Sequence, residues 1–123
     1  MPDGDKVVIN LASGMEDQER VIVAFLVGNA ALEKGKQVAM FLTKEAVRLT
    51  VPGVAIGVAC EGCPPLERVF SQFAENGGEL IACPFCFNTR GLDALQLVAN
   101  ARVEGATPLW EWIGEAGATV FSY

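Results

Sequence analysis

The sequence predicts an α/β domain in three layers, with a mostly parallel sheet of about five strands between helices. Three observations predict it. Short apolar runs without polar–apolar alternation recur along the chain, as strands covered on both faces require. Stretches with helical spacing of apolar residues separate these runs. And the 123 residues contain no repeat, linker or low-complexity segment, so they read as one domain over 1–123.

Val7-Val8-Ile9-Asn10-Leu11-Ala12 is β-branched and apolar, the mark of a buried first strand. Ser13-Gly14 breaks it, and Asp17 caps a helix predicted from about Gln18 to Lys34, with Val21, Phe25 and Leu32 on one face and Ile22 and Leu26 widening it. Gly35 stops that helix, and Val38-Ala39-Met40-Phe41-Leu42 follows as a second strand. Thr43 opens a short helix through Leu49. Residues 51–59 carry a Val-Gly-Val pattern that fits either a weak strand or an ordered loop.

Pro64-Pro65 opens the next helix, in which Leu66, Val69, Phe70, Phe73 and Ala74 recur at helical spacing until Gly77-Gly78. Leu80-Ile81-Ala82 is a strand that runs into Cys83. Leu92, Leu95, Val98 and Ala99 predict a further helix. Thr107-Pro108, an N-cap with a first-turn proline, predicts a helix that stops near Gly117, and 118–122 form the last strand. In such sheets the carboxyl ends of the strands gather at one edge, where open α/β folds hold their sites. Cys83 lies at such an end.

Composition narrows the function. The chain has no histidine, which removes Ser-His and Cys-His catalytic pairs, His-ligated metals and imidazole acid–base chemistry. Fifteen acidic residues against nine basic ones leave a net charge of −6, unsuited to neutralising nucleic acid. No apolar run approaches the roughly 20 residues of a membrane helix. Met1-Pro2-Asp3-Gly4-Asp5-Lys6 lacks the basic start and apolar stretch of a signal peptide, so a cytoplasmic, reducing location is expected. The hydrophobic share of 51% is slightly high for a lone small domain and suggests that copies of the chain cover part of its surface.

The chemistry then rests on Cys60-Glu61-Gly62-Cys63 and Cys83-Pro84-Phe85-Cys86, separated by residues 64–82. Their spacing fits a zinc site holding Cys60, Cys63, Cys83 and Cys86. Against that, the intervening residues form a helix and a strand of the larger core. The second pair also fits a thioredoxin-like dithiol, in which a helix N-terminus and Arg90 favour a thiolate at Cys83. That fold, however, places its motif early, and only one clear strand follows Cys86. A third reading leaves the cysteines inert in the core of a non-catalytic binding module.

The order of landmarks resembles the DsrE/DsrF-like family of small α/β sulfur-relay proteins. A first strand runs into Ser13-Gly14 and Glu16-Asp17, and a helix ends at Lys34-Gly35-Lys36. A second strand leads to the run from Phe41 to Val47; Pro64-Pro65-Leu66 and Asn76-Gly77-Gly78-Glu79 bracket the next helix. Ile81-Ala82-Cys83-Pro84-Phe85-Cys86 then precedes Thr89-Arg90-Gly91-Leu92, and Gly105-Ala106 precedes the final helix and strand. The resemblance implies a three-layer domain assembled as trimers or hexamers, with Cys83 at the position where some members carry a persulfide. Cys86 matches a second cysteine found in a subset. Cys60 and Cys63 fall outside the family pattern.

The expected function is therefore thiol-based sulfur carrying or transfer. Cys83 is the acceptor, Cys86 the resolving or second thiol and Arg90 the positive charge near the sulfur. No cofactor is expected; the alternatives are zinc on the four cysteines, or a non-catalytic oligomeric binding module. Expected partners are further copies of the chain and sulfur-donor and sulfur-acceptor proteins, without nucleic acid or membrane. Other residues carry two readings each. Arg90 either steadies a thiolate or pairs with Asp93, and Glu16 and Asp17 either face the cysteine or serve a helix N-terminus. Phe85 and Phe87 either wall the cysteines or bury themselves. Trp110 and Trp112 cannot share one helix face, which places one in the core and the other at a subunit contact.

Overall fold

The computed structural model describes residues 5–123. Residues 1–4, on which most of the leader-peptide reading rests, lie outside the described residues. The apolar runs become β1 (Lys6–Leu11), β2 (Gln37–Leu42), β3 (Glu79–Ala82), β4 (Ala101–Val103) and β5 (Thr119–Ser122). They form one sheet in the order β4-β3-β2-β1-β5, every neighbouring pair parallel. The helices are α1 (Gln18–Glu33), α2 (Leu66–Glu75), α3 (Pro84–Thr89) and α4 (Ala106–Ile113). A 3-10 segment over Lys44–Thr50 takes the place of the short helix after β2.

Side chains alternate along each strand, so the sheet has two distinct faces. Val7, Ile9 and Leu11 of β1, Val38, Met40 and Leu42 of β2, and Leu80 and Ala82 of β3 share one face. They pack in one cluster with Phe25 of α1 and Phe73 of α2, whose rings meet edge-on at 5.3 Å. Successive right-handed steps from β1 to β4 keep α1 and α2 on this face, and the return from β4 to β5 sends α4 across the other.

The second face is covered thinly. Val8, Ala39 and Ile81 are buried there, yet no residue of α4 is. Trp112 anchors the helix. The Lys6 ammonium donates to its carbonyl and sits 5.2 Å from its ring centroid, while its indole N–H donates to Glu79 Oε2 at 3.2 Å. Arg102 pairs with Glu79 and Glu104 on the same side.

Several expectations change. Residues 92–99 are turns, not a helix. The Asp93 carboxylate accepts from the Leu95 N–H at 2.9 Å, and the Val98 N–H donates to the Thr50 carbonyl at 2.8 Å, so these groups leave the helical ladder. Leu92, Leu97 and Val98 still pack against the core, whereas Leu95 is exposed. β4 lay hidden because it is three residues long and carries Arg102 at its centre. Residues 51–59 form a loop containing a 3-10 turn over Val54–Gly57. The N-cap of α4 is Gly105, which puts Thr107 inside the helix, and the helix ends at Ile113, before Gly117. Leu26 is 41% exposed, and Trp112 is half-buried at the edge of the fold, outside the core. No helix among the described residues is long and apolar enough to cross a membrane.

Candidate functional site

The carboxyl ends of three adjacent strands form the site. The ladder runs one residue past each strand: the Thr43 N–H donates to the Leu11 carbonyl at 3.0 Å, and the Cys83 N–H to the Leu42 carbonyl at 2.9 Å. Cys83 is thus held in register beside Thr43, directly where β3 turns into α3. The loop after β1 closes on the segment after β2. A Cβ on Gly14 would stand 2.6 Å from the Glu45 carbonyl oxygen, so the approach requires glycine. Lys44, next to Thr43, is the one non-glycine among the described residues with positive φ, at +52°. Such backbone strain persists only where the surroundings enforce it.

Cys83 is the N-cap residue of α3 and is half-buried, with its thiol free. Its carbonyl accepts from the Phe87 N–H at 2.9 Å, and Pro84 starts the helix without an N–H to satisfy. The Cys83 side chain makes no capping hydrogen bond. From this position a side chain reaches the N–H groups two and three residues on, here those of Phe85 and Cys86. Cys86 is also free and half-buried, and at i+3 it is a neighbour of Cys83 on the helix surface. The two flanking rings part company: Phe87 is fully buried beneath α3 and Phe85 is 79% exposed.

Arg90 closes α3, and its partner is Glu45, not Asp93. Its Nε donates to Glu45 Oε2 at 2.6 Å, and Nη1 donates to the Cys86 carbonyl at 3.2 Å. Arg48 donates to the other carboxylate oxygen of Glu45 at 2.8 Å. The hydrogen bond from Arg90 first, and that from Arg48 second, hold Glu45 below its ordinary carboxylate value. Arg90 therefore acts on α3 through Glu45 and the backbone of Cys86. Nothing local in the sequence links Glu45 to a cysteine; the pairing exists only once β2 and β3 lie side by side.

Asp17 caps α1, accepting from the Arg20 N–H at 3.2 Å, and Glu16 accepts from the Gly14 N–H at 2.7 Å. Both serve the turn after β1. Cys60 and Cys63 are bonded to each other in the loop before α2. Among the described residues, no three His, Cys, Asp or Glu side chains are grouped to hold a metal ion. The four cysteines form two separate pairs, one a disulfide and one a pair of free thiols, in place of the single cluster of Cys60, Cys63, Cys83 and Cys86 that zinc would need.

The model of the DsrE/DsrF-like family matches residues 5–122. This chain belongs to the DsrE/DsrF-like family. A relative from Methanopyrus kandleri, described as uncharacterized protein MK0008, is 26% identical over 121 residues, which is 98% of this chain and 97% of the relative. The family fold is equally plain in solved structures. The YchN protein from E. coli superposes with a TM-score of 0.76 at 19% identity, covering 96% of this chain and 98% of its own. MTH1491 from Methanobacterium thermoautotrophicum, a protein of unknown function, gives 0.68 at 12% identity with the same coverage. These likenesses show the fold, a five-stranded parallel sheet with helices, as the DsrE/DsrF-like resemblance implied.

Proposed function

We propose that this DsrE/DsrF-like protein carries sulfur as a persulfide on Cys83, with Cys86 as the second thiol. One observation carries the reading. Cys83 is a free, half-buried thiol at a strand end and the N-cap residue of α3, a position from which a side chain reaches the N–H groups two and three residues on. Those donors suit an anionic sulfur. In the loading step the Cys83 sulfur attacks the outer sulfur of a donor persulfide. A bond forms between the two sulfurs, the donor's S–S bond breaks, and the donor leaves as a thiolate. An acceptor thiolate takes that outer sulfur in the same way. Alternatively the Cys86 thiolate attacks Cys83 Sγ, forming a Cys83–Cys86 disulfide and releasing hydrosulfide. Arg90 acts as a positioning residue that fixes α3 through Glu45.

The scheme needs no cofactor, and its partners are sulfur-donor and sulfur-acceptor proteins, for which exposed Phe85 offers an apolar contact next to the cysteine. It suits a reducing compartment, and the cytoplasm is the location we propose. Trp110 of α4, 69% exposed, and Val120 of edge strand β5, 56% exposed, favour self-association into a trimer or hexamer.

The test is to incubate reduced protein with a sulfane-sulfur donor and map the product by peptide mass. One added sulfur on the peptide holding Cys83, lost in Cys83→Ser, is the expected result. An adduct that survives Cys83→Ser overturns the assignment.

A further inference from the structure

The Cys60–Cys63 disulfide takes no part in the scheme above, and its setting is that of a reactive bond. It spans a surface turn whose central residues, Glu61 and Gly62, are both exposed, and the two cysteines are only half-buried. Gly62 turns the chain at φ +79°, and the Cys63 N–H donates to the Cys60 carbonyl at 3.2 Å. The turn thus has its own backbone hydrogen bond. On either side it is pinned independently of sulfur: the Ala59 N–H donates to Gln18 Oε1 at 3.1 Å, and the Leu66 N–H to the Val58 carbonyl at 3.2 Å. Val58 and Leu66 are themselves fixed in the core, at 1% and 0% exposure.

A structural role for this bond is therefore weak. A disulfide stabilises mainly by restricting the unfolded chain, and a ring closed over two intervening residues restricts it little. Opening the bond leaves the turn, its anchors and the core in place. α2 runs from this loop back to the start of β3, so the loop lies at the same sheet edge as Cys83.

We infer that Cys60 and Cys63 form a second thiol–disulfide exchange site, independent of Cys83, whose partner is a protein dithiol. A thiolate of the partner attacks one of the two sulfurs. The Cys60–Cys63 bond breaks as a mixed disulfide forms, and the other cysteine leaves as a thiolate. The partner's second thiol then attacks the partner's own sulfur in the mixed disulfide. The partner departs oxidised and both cysteines are left as thiols. Two electrons and two protons pass from the partner to the pair.

The experiment uses the full chain, air-oxidised, without denaturant, and reduced thioredoxin as the probe dithiol. Thiols are alkylated after incubation and mapped by peptide mass. Cys60 and Cys63 are expected to go from unlabelled to doubly labelled, with unchanged far-UV circular dichroism, and equally so in the Cys83→Ser/Cys86→Ser double variant. Thioredoxin lacking its resolving cysteine should remain covalently attached to the native chain through this loop. If the pair stays closed to thioredoxin until denaturant is added, or never forms a disulfide on oxidation, the site does not exist. The readout lies on cysteines the persulfide scheme does not use, so either proposal can fail alone.

Discussion

Glu45 accepts a hydrogen bond from Arg90 Nε at 2.6 Å, and the pair ties the segment after β2 to the helix that begins at Cys83. The same guanidinium reaches the Cys86 carbonyl, so one arginine fixes the end of α3 from two directions. The pair is partly exposed, which limits its direct worth to about 1 kcal/mol. Its larger effect is on where the cysteine-bearing turn sits.

The pair gives stability a pH signature. Glu45 titrates below its ordinary value when folded, so its contribution is complete above the ordinary carboxylate range and fades as pH falls through the lowered value. Urea midpoints of the native chain and of Glu45→Gln, measured from about pH 7 to about pH 3, should differ by a constant amount down to about pH 5 and converge below it. Parallel curves over the whole range would remove the pair from the account.

The two phenylalanines of the Cys-Pro-Phe-Cys segment should behave oppositely. Phe87 is fully buried under α3, and Phe87→Ala should cost about 3–5 kcal/mol in urea unfolding. Phe85, 79% exposed, should change stability by no more than about 0.5 kcal/mol on the same substitution. Similar costs for both would mean that α3 is seated differently.

Much of this was legible in the sequence, and the reasons are specific. β1, β2 and β3 declared themselves because strands buried on both faces lack alternation, and Cys83 declared itself because it follows one of them directly. α2 was legible from the spacing of Leu66, Val69 and Phe73. The segment at 92–99 misled because Leu92 and Val98 have helical spacing, yet a side-chain carboxylate and a distant carbonyl claim its N–H groups. β4 is illegible because Arg102, on the thinly covered second face, interrupts a strand of three residues. Arg90 is legible as a candidate but its partner is not, since a carboxylate 45 residues earlier meets it only through strand order.

Gly14 carries a steric prediction. Its φ of −126° suits any residue, but a Cβ there would stand 2.6 Å from the Glu45 carbonyl oxygen. Gly14→Ala should therefore destabilise the fold by about 1–3 kcal/mol, read from the thermal midpoint. A neutral substitution would show that the loops after β1 and β2 are not in contact.

Self-association has its own readout. Light scattering after gel filtration should give a trimer or hexamer mass, and Trp110→Glu, which alters a 69% exposed side chain, should lower that mass without unfolding the chain. A monomer in the native protein would contradict the proposal.

The most direct measurement of the central claim is the mass of the intact chain after exposure to a sulfane-sulfur donor. Cys83→Ser, Cys86→Ser and the Cys60→Ser/Cys63→Ser double variant are run beside the native protein. The account predicts one added sulfur atom in Cys86→Ser, either one added sulfur or a Cys83–Cys86 disulfide in the native chain and in the Cys60/Cys63 double variant, and neither in Cys83→Ser. No added sulfur in Cys86→Ser, or an equal gain in Cys83→Ser, would contradict it.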